Sequence, residues 1–116
     1  MSKIETVAVI GAGLMGHALS LVHAMGGCHV KMQDINSKQL DIGLSLISSA
    51  LDTMISAGAV EKQDKSKILS RISGVERLED AVADVDLIVE AVVENREIKK
   101  QVFLEIDMKA KEHVII

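Results

Sequence analysis

The sequence has no proline, no tryptophan and no tyrosine, and only one phenylalanine and one cysteine in 116 residues. With Phe103 as the single aromatic side chain, any core must be aliphatic, built from Val, Ile, Leu, Met and Ala. The lone Cys28 excludes an intramolecular disulfide and fits a reducing compartment. No run approaches the roughly 18 apolar residues that span a bilayer. Residues 1–5 lack the long apolar stretch of a signal peptide. The formal net charge is -4, from 13 basic and 17 acidic side chains, so neither nucleic acid nor an anionic membrane is expected as a partner. Together these features predict a soluble chain of the cytoplasm or an organelle lumen.

At 48% hydrophobic, the sequence can build a substantial core, and its length suits one domain over residues 1–116. Residues 7–10 form an apolar run closed by glycines, which fits a central parallel strand buried on both faces. Residues 14–25 read as a helix stopped by Gly26 and Gly27, and residues 29–34 as a second strand. That order is a βαβ unit. Ser37 is the expected N-cap of a long helix to about Ala57, with Leu40, Leu44, Ile47, Leu51 and Met54 as its apolar stripe. Gly58 is the expected stop. Shorter helices are predicted over 63–70 and 78–83, and strands over 72–75 and 86–93. Asn95 is expected to cap a further helix with Ile98, Val102 and Ile106 on its buried side. The alternation predicts an α/β, Rossmann-type doubly wound parallel sheet. The final apolar run, Val114, Ile115 and Ile116, reads as the start of another buried strand. Exposed edges of that kind are rare in native domains. The chain is therefore expected to be a C-terminally truncated piece of a larger protein.

The most informative motif is Gly11-Ala12-Gly13-Leu14-Met15-Gly16. G-x-G-x-x-G alone is weak, but here it follows an apolar strand and opens a helix. In that context Gly11 allows the tight turn, Gly13 admits a pyrophosphate to the backbone, and Gly16 lets helix and strand approach. Phosphates would then meet free N–H groups and the positive end of the helix dipole. The competing reading is a chance glycine turn. Asp34 comes 18 residues after Gly16, where an acid accepts hydrogen bonds from the adenosine ribose. Its charge repels a 2′-phosphate, so NAD is expected over NADP; Lys31 is near, and no arginine follows Asp34. A solvated strand-end acid is the alternative. Glu94 and Lys99 lie across a strand-to-helix turn. Lys99 reaching a ribose or phosphate, with Glu94 orienting it, and a plain surface ion pair are equally supported by the spacing.

These residues resemble the NAD-binding domain of the L-3-hydroxyacyl-CoA dehydrogenase family. The resemblance rests on residues 9–16, on Gln33, Asp34, Ile35 and Asn36, and on residues 89–95 with Lys99, Lys100, Phe103 and Leu104 behind. Met32 to Asn36 with residues 40–43 is similar to the dehydrogenase part of multifunctional fatty-acid oxidation enzymes. The likeness implies that Gly11, Ala12, Gly13, Leu14, Met15 and Gly16 hold the pyrophosphate of NAD. It implies that Asp34 binds the adenosine ribose, that Val92, Val93 and Glu94 line the nicotinamide side, and that Lys99 reaches the cofactor. It also implies a helical hairpin inserted after the second strand, its first arm starting at Ser37, which contacts coenzyme A. The implied reaction is hydride transfer from a 3-hydroxyacyl-CoA to NAD in fatty-acid β-oxidation. The family's proton-accepting histidine, its partner glutamate and its helical, dimer-forming C-terminal domain lie beyond Ile116. No catalytic residue is therefore expected in this chain.

The remaining candidates favour ordinary roles. His17 either touches phosphate or faces solvent, and no catalytic part is expected of it. His23, His29 and His113 share no spacing with a carboxylate that suggests a metal site. Cys28 reads as a small filler. Lys62, Lys65 and Lys67 are interleaved with acids and read as a solvated helix face rather than a CoA phosphate contact. Two other functions remain open: another NAD-linked β-hydroxyacid dehydrogenase, and a dinucleotide-binding fragment without chemistry.

Overall fold

A computed structural model describes residues 4–91. The expectations placed on residues 92–116, including Val92, Val93, Glu94, Lys99, the Asn95 cap and the last strand, lie outside the described residues.

Four parallel strands form one sheet in the order β3-β2-β1-β4: β1 (Thr6–Ile10), β2 (His29–Gln33), β3 (Ile72–Val75) and β4 (Leu87–Glu90). β1 carries the most apolar run and sits between β2 and β4. Val7 and Val9 point to one face, and Ala8 and Ile10 to the other, all fully or almost fully buried. Such two-sided burial is what a continuous apolar strand requires.

The helices divide between the two faces. α1 (Leu14–Met25) and α2 (Ser37–Ser56) meet Val7, Val9, Val30 and Met32 through Leu21, Ala24, Leu40, Ile47 and Leu51. A single 3-10 turn (Lys62–Asp64) then leads into α3 (Lys65–Ser70), which adds Ile68 to the same core. On the opposite face α4 (Leu78–Val82) packs Ala81 and Val82 on Ala8, Ile10 and Ile88. The short helix expected over 63–70 thus begins as a tighter turn. Leu44 and Met54 of the expected stripe are only half-buried, and the buried line of α2 runs through Leu40, Gly43, Ile47 and Leu51.

The expected cap at Ser37 is corrected by one residue. Asn36 has the extended backbone of a cap, and its Oδ1 accepts the N–H groups of Lys38 and Gln39 at 3.0 and 3.4 Å. Ser37 is already inside the helix. Asparagine and serine cap about equally well, so their order in the chain could not decide between them. The strand before them does: Asp34 Oδ1 holds the N–H of Asn36 at 3.0 Å, which sets Asn36 at the helix entrance. Asn36→Ala is expected to lower unfolding stability by about 1 kcal/mol. Ser37→Ala should stay within about 0.5 kcal/mol of the parent. Urea unfolding of both variants checks the assignment, and the reverse ranking would return the cap to Ser37.

Candidate functional site

Strand register builds the site. Ile10 pairs with Gln33 on one side and Glu90 on the other, and Gln33 pairs with Val75. The carboxyl ends of all four strands are therefore level, and the segments that follow them emerge together. In open parallel sheets that end carries the ligand crevice.

The glycine segment leaves β1 at this end. Gly11 turns with φ +104°, in the region that disfavours side chains, and its N–H donates to Gln33 O at 2.7 Å. Gly16, in the first turn of α1, lies against the backbone of Gly11. A Cβ built on Gly16 would stand 1.7 Å from Gly11 O. A Cβ on Gly13 would meet nothing within 4 Å, so the space beside that residue is open. No side chain caps α1, whose N-cap is Gly13. The leading N–H groups of such a helix end have no partner within the helix, and they border this open space. Leu14 and Met15, the first residues of α1 after Gly13, are exposed at 82% and 65%.

Asp34 follows β2 and reaches across to the glycine segment. Its Oδ2 accepts the Ala12 N–H at 3.2 Å, while Oδ1 accepts from Asn36. One carboxylate thus ties together the glycine turn and the start of α2. Its backbone N–H donates to Val75 O at 3.1 Å, which joins the end of β2 to that of β3. Sequence spacing placed Gly11, Gly13, Gly16 and Asp34 at one site, and the structure brings them together. The Ala12–Asp34 bond was not legible, because it links a backbone amide to a side chain 22 residues away.

Charges nearby are already occupied. Lys31 Nζ donates to Asp80 O and Ala83 O, both at 3.1 Å, at the end of α4. The turn after β3 brings Arg77 to the site end of the sheet, where its guanidinium pairs with Glu79. Sequence reasoning looked for an arginine only after Asp34 and missed this one, which arrives from another strand.

His17 and His23 take structural bonds. His17 is half-buried, and its Nδ1 lies 3.0 Å from Gly13 O. A carbonyl only accepts, so this nitrogen carries the proton. The ring folds back on the loop instead of simply facing solvent. His23 makes the same contact to Leu19 O at 2.8 Å. Among the described residues no group of His, Cys, Asp and Glu could hold a metal ion. No described helix is long and apolar enough to cross a membrane.

A groove of about 640 Å³ lies elsewhere, between the end of α2 and α3. Ser56, Lys62, Lys65 and Ser66 line it, and Lys65 is bonded to Asp52 at 2.7 Å.

Residues 6–116 match the family described as 3-hydroxyacyl-CoA dehydrogenase, NAD binding domain. A 3-hydroxybutyryl-CoA dehydrogenase of Bradyrhizobium diazoefficiens is 37% identical over 97% of this chain and 38% of its own length. The fatty acid oxidation complex subunit alpha of Idiomarina loihiensis is 40% identical over 90% of this chain and 14% of its own. The solved (S)-3-hydroxybutyryl-CoA dehydrogenase of Ralstonia eutropha superposes with a TM-score of 0.92 at 33% identity, covering 98% of this chain and 40% of that one. This chain therefore spans two fifths or less of these relatives. The match over nearly its whole length shows that it belongs to the 3-hydroxyacyl-CoA dehydrogenase family, as its NAD-binding domain.

Proposed function

We propose that the opening at the carboxyl ends of β1 and β2 binds NAD, and that the domain serves the oxidation of 3-hydroxyacyl-CoA thioesters. The observation that carries this is the Asp34 carboxylate lying against the glycine turn, 3.2 Å from Ala12 N. In this reading the pyrophosphate rests on the backbone of Gly11 to Gly16, in the space that Gly13 leaves open. The exposed Leu14 and Met15 flank it. Asp34 accepts the adenosine ribose hydroxyls with the lone pairs its two backbone donors leave free. A 2′-phosphate there meets that carboxylate, while Lys31 is held at α4. Val92, Val93 and Glu94 are assigned to the nicotinamide side, and Lys99 is read as reaching the cofactor. NAD held there would supply the acceptor for the hydride that leaves the hydroxyl-bearing carbon of the substrate.

The segment from α2 through α3, inserted between β2 and β3, is read as the hairpin that meets coenzyme A. Such an arm suits a CoA ester and has no evident use for a small hydroxyacid, the other substrate class considered. The proton-accepting group, the dimer contacts and the acyl pocket are assigned to parts of a longer protein. The 116 residues by themselves are then a binding module of the cytoplasm or an organelle lumen.

Calorimetric titration of the chain with NADH and NADPH tests the cofactor reading. NADH is expected to bind more tightly, and preference for NADPH would overturn the role of Asp34. With acetoacetyl-CoA and NADH, no turnover by the chain alone is expected. Measurable turnover would show that a proton donor is present within it.

A further inference from the structure

Gln33 and Ser20 are the buried polar residues among those described. Gln33 is only 5% exposed. It stands in register with Ile10, on the sheet face that packs against α4, where the neighbouring core side chains Ala8, Ile10 and Ile88 are apolar. Methionine would fill the position without desolvating an amide. The amide is held instead by one long-range bond: Nε2 donates to Glu76 O at 2.9 Å, across 43 residues. The carbonyl of the same residue accepts the Gly11 N–H at 2.7 Å. Gln33 therefore joins the glycine turn to the turn between β3 and α4, and the next residue in the chain is Asp34.

We propose that Gln33 is a positioning residue for the adenosine half of the dinucleotide. Its side chain holds the Glu76–Arg77 turn at a set place beside Asp34, so that the ribose carboxylate and the neighbouring wall meet the adenosine together. The inference rests on the reading of Asp34 as the ribose acceptor. It implies that the two halves of the cofactor depend on Gln33 unequally, because the nicotinamide side is assigned to the segment after β4, and β4 and β3 are opposite edges of the sheet.

Gln33→Met, which keeps the volume and removes the donor, tests this. The chain and the variant are titrated with ADP-ribose and, separately, with nicotinamide mononucleotide, followed by amide NMR signals. ADP-ribose should bind the variant roughly five- to tenfold more weakly, the loss of one part-buried hydrogen bond. Nicotinamide mononucleotide binding should be unchanged, and the thermal midpoint unchanged or higher. A lower midpoint with both ligands weakened alike marks a structural role only and overturns the inference. So does equal ADP-ribose affinity. Should the variant fail to fold, the side-chain amide signals of Gln33 in the unaltered chain decide. They should shift with ADP-ribose, and their constancy at saturation overturns the inference. No ADP-ribose binding by the unaltered chain removes the reading of Asp34, and this inference with it.

Discussion

Gly16→Ala is expected to destabilise the chain by about 3 kcal/mol and to abolish dinucleotide binding. Helix propensity alone predicts the opposite sign, since alanine is favoured over glycine inside a helix by about 1 kcal/mol. The contact geometry decides. The new Cβ would stand 1.7 Å from Gly11 O and 2.6 Å from Gly11 C, both backbone atoms that cannot swing aside. Forced overpacking costs about 1–3 kcal/mol, and a clash with main chain belongs at the upper end. Relief requires α1 to move off β1, which opens the turn that holds Gly11 on Gln33 O. Gly13→Ala is the informative partner. Its Cβ meets nothing within 4 Å, so stability should fall by no more than about 1 kcal/mol, the cost of alanine in place of glycine at the N-cap of α1. Under the proposed function, that Cβ enters the space of the pyrophosphate, and binding is lost without loss of fold. Urea unfolding beside NADH titration separates the two effects. A Gly13→Ala chain that binds NADH normally would place the phosphates elsewhere.

Asp34→Ala is expected to weaken NADH binding about 100-fold and to erase discrimination against NADPH. A hydrogen bond to a charged group contributes about 1.5–3 kcal/mol, and about 2.7 kcal/mol is a factor of 100 in affinity. Two losses coincide in this variant. The proposed ribose acceptor disappears, and so does the partner of Ala12 N–H, a backbone group at a residue that is 1% exposed. Asp34→Asn is predicted to fall between parent and alanine variant. Its single amide oxygen can accept from Ala12 or from Asn36 but not both, and its NH2 then faces the other donor. Stability should follow the same order, because the carboxylate also positions the cap of α2. Titration with both cofactors checks the ranking. An Asp34→Ala chain that keeps its NADH preference would move the discrimination to another residue.

Much of the fold is legible along the chain. The apolar run of β1, the glycine ends of α1 and the alternation of strand and helix all act within a few residues, so local pattern contains them. The same holds for the Gly11, Gly13 and Gly16 spacing, which requires one turn and one helix start. Asp34 is legible too, because a βαβ unit of this length returns the second strand beside the first. The cap of α2 was read one residue late, since Asn36 and Ser37 are locally equivalent and a contact from Asp34 separates them. The Ala12–Asp34 bond, the Gln33 tie to Glu76 and the arrival of Arg77 were not legible at all. Each joins segments whose separation in sequence carries no periodic signal. Strand order and register alone bring the ends of β1, β2 and β3 level. Residue types and spacing thus suffice for the kind of site, whereas packing of the sheet decides which side chains hold it in shape.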